Sequence, residues 1–188
     1  MPVIRTAHID DARDMARVHV DTWHTTYIGI VPDEHLSNLS YERAQANWLE
    51  YLSDPTSETH AFVAEDETGQ IVALASGGPL REQLGNYDGE LYVLYVLRAF
   101  QGIGYGKLLV TRVVHDLIGR GFHSLVIWVL KENSACRFYE RLGGQLIAEK
   151  MIEIGGKELT DVAYVWPDLA VLKDDNQAKK SSVKLEGA

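Results

Sequence analysis

Three glycines, Gly102, Gly104 and Gly106, stand at every second position between the unbroken apolar run Leu91–Leu97 and a helix-like pattern. Glycine lets the backbone take positive φ and approach a ligand closely. Successive N–H groups then face one concavity, and the start of the next helix adds unpaired donors and the positive end of its dipole. The chemistry on offer is pyrophosphate binding by main chain alone. Spacing excludes two phosphate loops. In a dinucleotide fingerprint counted from Gly102 the third glycine would fall at Lys107. In a Walker A loop Gly106-Lys107 fits, but Gln101 stands where the first Gly belongs and Leu108 where Ser or Thr belongs. What remains is Q-x-x-G-x-G, Gln101 to Gly106. Taken alone it serves equally well as a turn for tight helix–strand packing.

Other reactive side chains are few. Cys136 is the single cysteine, so an intrachain disulfide is excluded. A nucleophilic role for it would need a base beside it, and none is evident. Asp88 and Glu90 flank the start of the apolar strand, and His19 falls on the apolar face of a helix.

The elements that must position these groups follow from periodicity. Residues 2–6 read as a strand. In "DDARDMARVHVDTW", Ala12, Met15, Ala16, His19, Val20 and Trp23 share one helical face, with Asp10 or Asp11 able to cap its start. "GIVPDEHL" breaks the pattern, and Ser40 is placed to cap a second helix, "SYERAQANWLEYL". Two strands follow about a turn at Glu67–Gly69, then a polar loop and the strand 90–97. Residues 104–119 form a helix with Val110, Val113, Val114 and Leu117 on one side. "HSLVIWVL" has the density of a buried central strand. "NSACRFYERLGG" is a short helix closed by Gly143, and the chain ends its patterned part with a hairpin around Gly155-Gly156. The order β-α-α-β-β-β-α-β-α-β-β predicts a mixed sheet with helices on its faces, α/β or α+β in class.

About thirty residues beyond the glycine turn stands N-x-x-x-x-F-Y-E-R-L-G, from Asn133 to Gly143. With both motifs in this order, the chain resembles the GNAT superfamily of acyl-CoA-dependent N-acetyltransferases. The likeness covers about residues 2–166 and is strongest over 90–144. "DTWHTTYIGIVP" is also similar to a bacterial subgroup that includes proteins assigned as polyamine acetyltransferases. Leu97-Arg98 and Gly144 depart from the family's frequent x-Pro and Phe.

The resemblance implies a GNAT fold, a central sheet of about seven strands whose parallel strands 4 and 5 splay apart. It implies acetyl-CoA as acyl donor, no metal, and direct transfer to a primary amine in a ternary complex. Backbone groups of Leu94, Tyr95 and Val96 would hold the pantetheine arm. Those of Gln101, Gly102, Ile103, Gly104, Tyr105, Gly106 and Lys107 would hold the pyrophosphate, and Val96 N–H would polarise the thioester carbonyl. Asn133 would bond the arm or cap its helix. Tyr139 would bind the donor and protonate the departing thiolate. Glu90 would be the base and meet the acceptor, with Asp88 as competitor. Trp23, His24 and Tyr27 would line the acceptor pocket, although Trp23 also reads as core.

Length and composition set the outer bounds. The 188 residues suit one domain, read as 1–166 with a polar tail over 167–188. A net charge of −9 argues against nucleic-acid binding and is compatible with a cationic substrate. No basic-then-apolar leader opens the chain and no apolar run approaches a membrane span, so a cytoplasmic location is expected. The acceptor class expected is a small-molecule amine, polyamine-like or amino-acid-like. A protein N-terminus or lysine, or a non-catalytic acyl-CoA-binding module, are the alternatives. The closing hairpin and the tail are candidate elements for a homodimer.

Overall fold

A computed structural model describes residues 3–54 and 56–172; of the expected tail, residues 173–188 lie outside them. Seven strands, β1 (Val3–Thr6), β2 (His60–Glu65), β3 (Ile71–Pro79), β4 (Gly89–Val96), β5 (Leu125–Leu130), β6 (Gln145–Ile154) and β7 (Lys157–Trp166), form one sheet in the order β1-β2-β3-β4-β5-β7-β6. Every neighbour pair is antiparallel except β4 with β5. The connection between those two is the helix α4 (Tyr105–Gly119), the crossover that a parallel pair requires.

The two faces are covered differently. α4 lays Leu109, Val110, Val113, Val114 and Leu117 against Phe62, Ala73, Leu91, Leu125 and Ile127. On the opposite face α1 (Ala12–Thr26) and α3 (Tyr41–Ser53) bring Met15, Ala16, Val18, Val20 and Trp48 onto Ala61, Val63 and Leu74. Ser40 caps α3 as expected, its Oγ accepting from Arg43 N–H at 3.2 Å. Asp11 does not cap α1 through its side chain. Its carboxylate instead accepts from His8 N–H at 2.7 Å and from the Arg5 guanidinium at 2.7 and 2.8 Å. Arg5 also reaches Glu65 on the neighbouring strand, and ion pairs with hydrogen bonds hold Asp11 well below its ordinary range.

Two features escaped the periodicity. α2 (Asp33–Ser37) is one short helical turn that starts directly after Pro32, too brief to show a pattern. Residues 169–172 are no tail: Leu169 and Leu172 are buried in the core beneath α4, and Leu169 N–H donates to His123 C=O at 2.9 Å.

Gly144, where the family favours Phe, has a physical reason in this chain. A Cβ there would lie 2.7 Å from Trp166 Cζ2 and 3.0 Å from Tyr139 C=O. The buried Trp166 indole, donating to Leu142 C=O at 2.8 Å, already fills the space. Gly144→Ala should therefore cost about 1–3 kcal/mol by overpacking, read from the denaturant midpoint, and Gly144→Phe should not fold with Trp166 in place.

Candidate active site

β4 and β5 begin side by side and then part. Their register contains only Gly89 with Leu125 and Glu90 with Val126. Beyond that point β4 stays on β3 as far as Val96, and β5 stays on β7 as far as Leu130. The departure starts at a bulge: Leu91 faces Gly77 and Val93 faces Ser76, leaving Tyr92 as an extra residue on β4. An extra residue bends its strand and sharpens the twist.

The bend exposes a backbone edge. Leu97 N–H donates to Val72 C=O at 3.0 Å. Antiparallel ladders alternate, so Tyr95 and Val93 also turn their polar groups to β3, while Leu94 and Val96 turn theirs to the gap. Val96 C=O is taken by Gln101 Nε2 at 2.9 Å. Leu94 N–H and C=O and Val96 N–H face the gap. Buried main-chain groups need partners, and an extended chain laid in the gap would supply them. Tyr95, expected among the arm-binding backbone, instead serves the opposite face, where its hydroxyl accepts from Trp23 Nε1 at 3.1 Å.

At the far end of β4 the glycine turn lies as expected. Gly102 and Gly104 have φ of 76° and 105°, a region that L side chains rarely adopt, and Gly104 starts α4 without a side-chain cap. The first-turn N–H groups of α4 remain available for an anion. A cavity of about 470 Å³ joins this turn to the gap, lined by Leu94, Val96, Gln101, Gly104, Asn133 and Tyr139 among others. Gly102, Gly106, Lys107 and Tyr95 also line it. Ile103 does not: its side chain is exposed, and Tyr105 is buried edge-on against Phe100. The sequence reading missed Arg98 and Arg141, which share the cavity wall with Lys107. Arg98 stands where the family often has Pro, and Arg141 lies inside the second motif, so both positions carried the signal. None of the three cations has an ion pair among the described residues.

Tyr139 sits on α5 (Cys136–Arg141), packed against Phe138, Tyr164 and Trp166. Its ring is 4% exposed, it lines the cavity, and its hydroxyl has no hydrogen bond to the described residues. Burial, with Tyr27, Cys136 and Tyr95 nearby, pushes the phenol far above its ordinary value. It stays protonated at any working pH and is equipped to donate. Asn133 is buried, and its Oδ1 accepts from Ala135 N–H at 2.9 Å. It thus braces the turn into α5 and lines the cavity at once.

Comparison with known proteins fits this geometry. A family model for FR47-like proteins matches residues 71–152, from β3 into β6. The uncharacterized N-acetyltransferase YuaI of Bacillus subtilis is 38% identical over 173 residues, 92% of this chain and 97% of that protein. The chain belongs to the GNAT superfamily of acyl-CoA-dependent N-acetyltransferases. Among solved structures, the PaiA N-acetyltransferase of Thermoplasma acidophilum in complex with coenzyme A shares the fold at 18% identity and a TM-score of 0.65, over 86% of this chain and 98% of that one. The structure of yncA of Salmonella typhimurium with its cofactor acetyl-CoA does so at 23% identity and a TM-score of 0.66, over 89% and 94%.

The acids of this GNAT chain are placed less simply than expected. Glu90, 2% exposed at the apex of the gap, is bound to one residue. Its Oε2 accepts from Arg81 N–H at 2.9 Å and its Oε1 from Arg81 Nη2 and Nε at 2.5 and 3.1 Å. Tyr92 supports the same residue, with the Arg81 guanidinium 4.4 Å from its ring centroid. All three donors come from Arg81, its backbone N–H and two N–H groups of its guanidinium, so the carboxylate is already occupied. Asp88 is a weak base. Burial would raise it, but hydrogen bonds from Ser124 and His123 outweigh that and lower it to about 2.

The acceptor-side expectations divide as well. Tyr27 lines the cavity, joined by Thr22, Thr25 and Thr26, which periodicity had not singled out. His24 is structural: its Nε2 lies 2.8 Å from Leu36 C=O and ties α1 to α2. Trp23 backs Tyr27 at 4.6 Å between ring centroids. His19 stacks on Tyr95 at 4.8 Å and is lowered to about 4 by burial, hence neutral. Cys136 is unsuited to attack: burial raises its thiol, which donates to Leu130 C=O at 3.5 Å.

If Arg81 clamps Glu90, Arg81→Ala should leave a buried carboxylate with lost donors. It should lower stability by about 1–3 kcal/mol in denaturant unfolding, and Arg81→Lys, which keeps the backbone donor and one charge, should lose less.

Proposed function

We propose that the protein transfers an acetyl group from acetyl-CoA to the primary amine of a small cationic molecule, both substrates being bound together. The observation that carries this reading is one cavity holding three complementary parts: the open backbone edge of Leu94 and Val96, the glycine turn at the start of α4, and the free hydroxyl of Tyr139. When bound, acetyl-CoA supplies an activated acyl group with a thiolate leaving group. Leu94 and Val96 would hold the pantetheine arm as an added strand. The N–H groups of Gln101 to Lys107 would hold the pyrophosphate, with Arg98, Lys107 and Arg141 adding charge in an acidic protein. Val96 N–H would polarise the thioester carbonyl as an oxyanion-type donor. Tyr139 would hand its proton to the departing sulfur. Holding the donor and the amine side by side makes the attack effectively intramolecular.

Glu90, the base that the family resemblance implies, acts in this reading through Arg81. It fixes the residue 80–88 loop at the apex where the strands part. Support for a cationic acceptor comes from Asp161, an acid on the sheet face beneath α1 with no ion pair among the described residues.

The test is a thiol-release assay with acetyl-CoA over a panel of amines, polyamines first, alongside calorimetry. Tyr139→Phe should lower kcat about 100-fold or more, within the range for a lost general acid, and leave acetyl-CoA affinity unchanged. Gly104→Glu, forced into positive φ with an anion at the pyrophosphate, should abolish binding. Unchanged kcat in the first variant, or micromolar binding in the second, would overturn the assignment. Binding without turnover on any amine would mark a non-catalytic acyl-CoA-binding module.

A further inference from the structure

The sheet face beneath α1 is sealed in two patches. Val31, Leu36, Leu130 and Leu159 lie under the segment that joins α1 to α2, with Tyr27 and Ile30 packed on them. Val126, Ala163 and Val165 lie under Leu80, Leu84 and Tyr87 of the 80–88 loop. Between the patches Trp128 of β5, Asp161 of β7 and Lys150 of β6 are only half-buried. They are neighbours across the sheet, since Asp161 pairs with both Leu130 and Lys150, and Trp128 with Ala163.

The charges here are matched, with one exception. Glu90 holds Arg81. Glu82 holds Lys150 at 2.6 Å, and the Lys150 ammonium lies 4.1 Å from the Trp128 ring centroid. Asp161 has neither a hydrogen bond nor an ion pair among the described residues. Burial raises it to about 6; Lys150 and Arg81 oppose the rise, Glu82 and Glu90 add to it. A partly desolvated carboxylate without a donor is costly unless a ligand supplies one. Asp161 pairs with Leu130, on whose cluster Tyr27 packs, and Tyr27 lines the same cavity as Tyr139, so the unpartnered carboxylate lies next to the wall of that cavity.

We infer that Asp161 receives the ammonium group of the acceptor and takes its proton. The inference rests on the acyl-transfer reading above. The amine arrives as an ammonium, and one proton passes to the Asp161 carboxylate. The freed nitrogen lone pair forms the bond to the acyl carbon, and the carbon–sulfur bond breaks. Tyr139 gives its proton to the sulfur. The surplus proton on the new amide nitrogen returns to the Tyr139 oxygen through solvent, and Asp161 releases its own to bulk water. Among the acids on this face, Glu82 and Glu90 are already ion-paired, and Asp161 is the carboxylate left open to take the ammonium and its proton.

The experiment compares Asp161→Asn and Asp161→Glu with wild type on the best amine of the panel. Asp161→Asn should lower kcat/KM about 100-fold or more, the range for a lost general base, with acetyl-CoA affinity unchanged by calorimetry. The wild-type acid limb near pH 6 should disappear, and Asp161→Glu should restore part of the rate. Thermal unfolding supplies a readout independent of turnover. A carboxyl raised on folding weakens the fold as pH climbs through its folded value, so Asp161→Asn should raise Tm above pH 6 and leave it unchanged below pH 4. Wild-type kcat/KM and an intact acid limb in Asp161→Asn would overturn the inference and leave the acyl-transfer reading standing. A Tm lowered at every pH would make Asp161 structural and overturn it too. A wild type that releases no thiol with any amine would overturn the acyl-transfer reading itself, and this inference with it.

Discussion

The parting of β4 from β5 is the constraint on which the rest of the structure depends. Two parallel strands that pair at only two positions leave one polar edge of β4 unfilled in the middle of the molecule. Such an edge is costly to bury empty. The chain pays elsewhere to keep it open. The bulge at Tyr92 turns the strand, the Arg81–Glu90 clamp fixes the apex, and α5 packs Tyr139 and Phe138 along the far wall. Gln101 closes one carbonyl of the edge and leaves the neighbouring donors free. The glycine turn and the helix start then lie at the open end because β4 leads straight into them.

Electrostatics divide the site along the same line. The protein is acidic, yet Arg98, Lys107 and Arg141 gather around the cavity that faces the glycine turn. On the face beneath α1 and the 80–88 loop, Glu82 and Glu90 are neutralised by Lys150 and Arg81, and Asp161 alone has no ion pair among the described residues. The basic wall suits a polyanionic donor. Tyr27 and Tyr139 stand between the two sides, each kept protonated by burial.

Much of this was legible in the chain itself. The alternation and helical periods located all seven strands and four of the five helices, and Q-x-x-G-x-G with the downstream "FYERLG" pointed to the donor site. What escaped depends on tertiary placement. The bulge at Tyr92 leaves no mark in an unbroken apolar run, so the point where β4 turns away from β5 was not legible. Glu90 stands in the expected place, but its capture by Arg81 nine residues earlier cannot be read from spacing. Asp161 lies in an ordinary alternating strand, and its place between Leu130 and Lys150 arises only because β7 inserts between β5 and β6. His24 and Trp23 were named for a position near the site; their hydrogen bonds show one tying helices together and the other backing the wall.

Amide hydrogen exchange at Leu94 and Val96 tests the central claim most directly. Both N–H groups face the gap and lack a strand partner, whereas Tyr95 and Leu97 donate to β3. Saturating acetyl-CoA should slow exchange at Leu94 and Val96 strongly, on the order of 100-fold for about 2.7 kcal/mol of protection, and change Tyr95 and Leu97 far less. Equal slowing at all four amides, or none at Leu94 and Val96 while acetyl-CoA is bound, would contradict the account of the parted strands as the donor site.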